Sequence, residues 1–169
     1  EDGMSTLHFI IGASDIEKEK YIKDILIPSL ERDYYICKNT HEADESVLTE
    51  IESALKEGAD VIYAGPCMSL KQRRKIEQLT LKKTLRDSVK MQGHIVLSLL
   101  PKGDDGFKEE LALIKLFCMP EKDEFDLPIK VASFTTRKFT LKTVIDDLFN
   151  VNQKGKWHTE NAGVHTSLV

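Results

Sequence analysis

The chain has 169 residues, 41% hydrophobic and 31% charged. That is enough for one domain with a substantial core, and it excludes general disorder. A net charge of −4 leaves no electrostatic footprint for nucleic acid, and the longest apolar runs, such as residues 95–100, fall far short of the ~20 residues of a membrane span.

The start, Glu1-Asp2-Gly3-Met4, is polar and carries no leader pattern. Residues 7–11 read as a first strand, left through Gly12-Ala13. Ser14 and Glu17 stand at capping-box spacing, and Ser14 or Asp15 is the expected N-cap. A helix over about 16–31 follows, with Ile22, Ile25, Leu26 and Leu30 on one face and Pro28 expected to kink it or end it early. The second strand is placed at 34–38. Residues 39–46, NTHEADES, form a polar loop before a second helix carrying Leu48, Ile51, Ala54 and Leu55 and closed by Gly58.

A third strand at 60–64 stops at Gly65-Pro66. Ser69 and Gln72 repeat the capping spacing at the head of a basic helix expected over 70–90, ended by Gly93. The fourth strand is expected at 95–100 and a helix at 107–117. An acidic, irregular stretch covers 119–127, a fifth strand 129–133, and a last helix carries Leu141, Val144, Ile145 and Leu148, with Thr140 as its cap. Strands alternating with amphipathic helices predict an α/β, flavodoxin-like three-layer sandwich around a five-strand, mainly parallel sheet. Residues 5–150 form the domain, and 151–169 read as a flexible tail.

The sites such a sheet often carries are missing. Strand three ends Tyr63-Ala64-Gly65, without the phosphoacceptor Asp of a receiver domain. The first turn has neither G-x-G-x-x-G nor a Gly-Lys-Ser/Thr ending. Cys37, Cys67 and Cys118 are widely spaced, so they read as reduced thiols of a cytoplasmic protein, and they form no zinc pattern with histidine. Cys67, beside Gly65-Pro66, has no histidine placed by spacing to activate it. No cofactor or metal site is expected. The strongest charge features are the basic run 71–75, with Lys82, Lys83 and Arg86 beyond it, and the acids of 42–52. Opposed faces of this kind suit head-to-tail self-association.

In order and spacing, residues 6–150 resemble a TIR domain, the cytosolic Toll/interleukin-1 receptor module. The carriers are LHFIIGASDIEKEKYIKDILIPSLE, YYICKN, LTEIESALKEGADVIYAGPCMS, KIEQLTL and HIVLSLLPKG. The loop NTHEADES lacks the Arg, Pro and Gly usual in that family's BB loop. The resemblance implies a cytoplasmic innate-immune signalling scaffold that binds other TIR-domain proteins, or itself, and meets a membrane only as part of a receptor. The contact surface would comprise His41, Glu42, Asp44, Glu45 and Ser46, with Lys71, Arg73 and Arg74 on an opposing face. The alternative it implies is an NAD-cleaving enzyme, an NAD+ glycohydrolase. There Glu77 would be catalytic, holding the ribose hydroxyls and stabilising positive charge as the glycosidic bond of its substrate NAD opens. Arg73 and Arg74 lie within helical reach of Glu77 as ion-pair partners. If Val169 is the C-terminus, Thr166, Ser167 and Val169 read as a PDZ-type ligand.

Overall fold

A computed structural model describes residues 4–12, 15–66, 69–80, 85–98, 112, 119–121, 124–134 and 159–165. Its spine is β1 (Ser5–Ile11), a mostly apolar strand whose side chains are buried on both faces. Burial on both faces is the usual state of an interior strand in a parallel sheet. The helical stretch after it runs as α1 (Asp15–Tyr21), a π-helical piece (Ile22–Leu26) and α2 (Ile27–Ser29). It ends just past Pro28, as expected, because proline supplies no N–H and Leu30 is already extended. Next come β2 (Tyr34–Cys37), α3 (Glu45–Lys56) and β3 (Asp60–Tyr63). Between α3 and β3 stands Gly58 at φ +86°. After α4 (Leu70–Thr80), the remaining strands are β4 (Val89–Ser98), β5 (Ile129–Phe134) and β6 (Thr159–His165).

All pairings are parallel, in the order β2-β3-β1-β4-β5-β6. The α/β class and all five expected strands are therefore present. Within the class, the order places β3 between β1 and β2, whereas the flavodoxin order is 2-1-3-4-5.

Alternation along β1 sends successive side chains to opposite layers. Leu7, Phe9 and Ile11 pack with Leu48, Ile51 and Leu55 of α3 and Ile76 of α4. Ile10 packs on the other face, with Tyr21, Ile22 and Leu26. That second layer is not wholly apolar. It also holds His8, His94 and Gln92, all buried.

Two expectations about extent are corrected. The basic helix is described over Leu70–Thr80 and does not reach 90, since 85–88 are turn, and β4 starts at Val89 rather than at 95, because residues 89–95 pair along the whole of β1. Gly93 is thus a mid-strand residue and no helix terminator. Its bare Cα receives the Phe125 ring, and a Cβ there would come within 2.4 Å of Phe125 Cε2. Gly93→Ala is expected to displace Phe125 and lower stability by about 1–3 kcal/mol, read as a shift in urea midpoint.

The expected tail contains β6, which adds to the β5 edge with a register shift between Val131 and Ala132. Backbone pairing makes that strand, and its weakly patterned sequence, TENAGVH, did not announce it. The expected helices at 107–117 and 141–148, with the Thr140 cap, lie outside the described residues. So do Ser14 and the PDZ-type residues Thr166, Ser167 and Val169. Among the described residues, no helix is long and apolar enough to cross a membrane.

Candidate functional site

In open α/β sheets, ligands gather outside the carboxyl ends of the strands, where successive connections leave in opposite directions. Here β1 is that strand, since the chain leaves it toward β2 and later returns on its other side as β4. A cleft of about 370 Å³ opens beside it, lined by Asp15, Lys18 and Glu19 from α1 and by Lys38, Asn39 and Thr40 after β2. Both lysines have carboxylate partners: Lys18 is 3.2 Å from Asp15, and Lys38 is 3.8 Å from Glu19. An incoming phosphate would have to compete with these acids.

The loop 39–46 forms the rim of this cleft, and it is pinned from inside. Asn39 Nδ2 donates to the His41 carbonyl and, at 3.1 Å, to the Tyr63 hydroxyl. Ala43 is buried in the core. The Asp44 carboxylate accepts the Val47 N–H at 3.0 Å and caps α3. Beneath the loop, Tyr35 donates to Glu50, a bond that raises the phenol pKa to about 12. Burial, then the Glu50 charge, pushes the Cys37 thiol up to about 11, so Cys37 is protonated and inert as a nucleophile.

The residues proposed for contact separate into two groups. His41, Glu42, Asp44, Glu45 and Ser46 are all exposed, as a contact loop requires. On α4, Lys71 is exposed, whereas Arg73 is only 1% exposed, so its place on an opposing surface is corrected. It lies three residues before core Ile76, on the same helix face, and forms a forked ion pair with buried Glu124. Nε stands 2.5 Å from Oε2, and Nη2 stands 3.1 Å from Oε1. Arg74 bridges Glu77 at 3.1 Å and Glu121 at 2.5 Å. The acidic stretch with no assigned role is therefore the internal counter-charge of the basic helix. Lys75 reaches back to Glu42 at 3.6 Å, tying α4 to the loop. The capping box at the head of α4 forms as expected, with Ser69 and Gln72 exchanging backbone-to-side-chain bonds of 3.1 and 3.2 Å.

No protein-family model and no curated protein matches the chain.

Glu77, the catalytic candidate, is partly exposed, held by Arg74, and lines neither the cleft nor the recess described next. Among the described residues, no group of three His, Cys, Asp or Glu could hold a metal ion. Cys67 and Cys118 lie outside the described residues.

The polar group that sequence reasoning missed lies in mid-sheet, on the face that α1 covers. Tyr21 Oη stands 2.6 Å from His94 Nδ1, and His94 Nε2 stands 2.8 Å from His8 Nδ1. Desolvation, reinforced by the Lys130 charge, lowers the His8 pKa to about 3. Burial, then His8, then Lys130 hold His94 well below the ordinary imidazole range. Both rings are therefore neutral near pH 7. The two histidines are 86 residues apart, and no linear spacing links them. The available hint was that His8 interrupts an otherwise apolar strand.

Proposed function

We propose that the chain is a TIR-like signalling module acting by protein–protein contact, with loop 39–46 as its contact element. The other TIR-domain protein, or a second copy of this chain, would present a basic surface to it. The observation that carries this reading is an outward acidic loop held in shape by inward anchors. His41, Glu42, Glu45 and Ser46 are exposed, while Asn39, Ala43 and the Asp44 cap fix the backbone beneath them. A pre-ordered loop loses little entropy on binding. Arg73 and Arg74 are occupied by Glu124, Glu121 and Glu77, whereas Glu45 is exposed and Glu42 is held only by an exposed pair with Lys75, so the loop supplies the negative charge a partner could meet. The family reading itself rests on the sequence resemblance, since the β2-β3-β1 order is not the flavodoxin order.

The test reverses Glu42 and Glu45 together to lysine and leaves the Asp44 cap intact, because losing such a cap costs about 1 kcal/mol by itself. Self-association in sedimentation, or capture of a TIR-domain partner, is expected to weaken at least tenfold while the unfolding midpoint stays unchanged. Equal association by the reversed protein would remove the loop from the proposal, and a wild-type chain that engages neither partner would remove the proposal itself. The same protein is expected to leave NAD intact. NAD loss that disappears in Glu77→Ala would replace this reading by the enzymatic one.

A further inference from the structure

At the amino end of the sheet, beneath α2, a recess of about 650 Å³ has a lining that includes two acids, Glu31 and Asp60, alongside Arg32, Lys130, His8 and Gln92. Most of its polar groups are already engaged. Asp60 accepts the Thr6 N–H at 2.8 Å and stands 3.9 Å from Arg32 Nε. Arg32 also donates to the Gly58 carbonyl, and Gln92 donates to the Pro128 carbonyl at 2.8 Å. Two inner groups remain. His8 Nε2 is buried without a hydrogen-bond partner, and Lys130 forms no ion pair among the described residues.

The Tyr21–His94–His8 chain explains why that nitrogen is left over. Each imidazole is neutral and carries one ring proton. When the Tyr21 hydroxyl donates to His94 Nδ1, His94 Nε2–H donates to His8 Nδ1, and the His8 proton must sit on Nε2. In that tautomer the result is a buried donor with nothing to receive it, in the lining of a recess large enough for a small molecule; with the ring protons reversed the same nitrogen is an unfilled acceptor.

We propose that this recess binds a small oxyanion, a phosphate or carboxylate group, between the His8 Nε2–H and the Lys130 ammonium. A cation is disfavoured there, because Asp60 is already paired with Arg32, Glu31 is exposed at the rim, and the inner groups left over are the Lys130 ammonium and the His8 N–H. An oxyanion meets both needs at once: it accepts the orphaned N–H and neutralises the ammonium through a charge-assisted bond. The site is independent of loop 39–46, which lies at the other end of the strands.

The experiment follows the histidine ring nitrogens of the full chain by NMR. Inorganic phosphate and, separately, acetate are added at ionic strength matched with sodium chloride. A saturable shift at His8 Nε2 is expected with at least one of them. Saturation by phosphate alone assigns a phosphorylated ligand, and saturation by acetate alone a carboxylate; both outcomes support the site. Lys130→Gln, a change on a half-buried side chain, is expected to weaken binding about tenfold, the effect of one charge-assisted bond. His8→Leu is expected to abolish it. Should His8→Leu fail to fold, the lysine variant still decides. No saturation with either anion, or identical titrations for wild type and Lys130→Gln, would overturn the proposal and leave water as the occupant.

Discussion

Glu124→Ala is expected to destabilise the protein by about 3–5 kcal/mol, which for a chain of this size lowers Tm by roughly 6–20 °C. The magnitude follows from what is left behind. Arg73 is 1% exposed, and without Glu124 its guanidinium becomes a buried cation with its main partner removed. Glu124 also accepts the Glu121 N–H at 3.0 Å, so the turn carrying both acids loosens. The neighbouring Asp126 segment pairs with β4 at Met91, through Asp126 Oδ2 at 2.8 Å and backbone bonds of 3.0 and 3.2 Å, and opens with it. Replacing both partners, Arg73→Met with Glu124→Leu, is expected to recover most of the loss, because an apolar pair of similar volume has no charge to desolvate. Glu121→Ala breaks only the exposed bridge to Arg74 and is expected to cost less than about 1 kcal/mol. Denaturant unfolding of the three variants beside wild type checks the ranking. A Glu124→Ala protein within about 1 kcal/mol of wild type would show that the pair is not buried in solution.

Acid is expected to weaken the fold well before the carboxylates titrate. A histidine with a depressed folded-state pKa stays neutral in the native protein while its unfolded counterpart takes up a proton near pH 6.5. Its contribution is fully present above pH 6.5 and declines as pH falls toward the folded value, which for His8 is about 3. Each such histidine costs about 1.4 kcal/mol per pH unit in that window, so His8 and His94 together remove roughly 4 kcal/mol between pH 6.5 and 5. The side chains facing the pair are Lys130 from β5, whose charge opposes protonation of both rings, and Tyr21 from α1. Urea unfolding at pH 7.5, 6.5, 5.8 and 5 reads the slope (pH values about half a unit to one unit apart suffice). His8→Gln, which cannot be protonated, is expected to flatten it by about half. A stability flat across that window would mean that the rings are solvated and the Tyr21–His94–His8 chain does not exist in solution.

Local chemistry made much of the architecture legible. The five expected strands could be found because each is a short apolar run bounded by turn residues. The caps at Asp44 and Ser69 and the glycine end of α3 act within a few residues. β6 was not legible, because an edge strand draws its stability from backbone bonds to β5. Residues 89–94 were read as helix and terminator, although β1 needed a partner along its full length. For the candidate site, exposure of the acidic loop followed from its polarity alone. Arg73 did not: as one of a run of basic residues it resembled its neighbours, and only its helical phase against Ile76 set it apart.

The sequence by itself determined the alternation of strands and helices, the apolar layers, and the charged character of loop 39–46 and α4, because those properties repeat at the fixed periods of strand and helix. Only the tertiary structure decided which charges are spent. It decided that Arg73 turns inward to Glu124, 51 residues away, and that β3 rather than β2 lies beside β1. It also brought two distant histidines within 2.8 Å on one sheet face. The physical reason is that pairing between remote groups depends on strand order and helix phase across the whole domain, which no window of neighbouring residues contains.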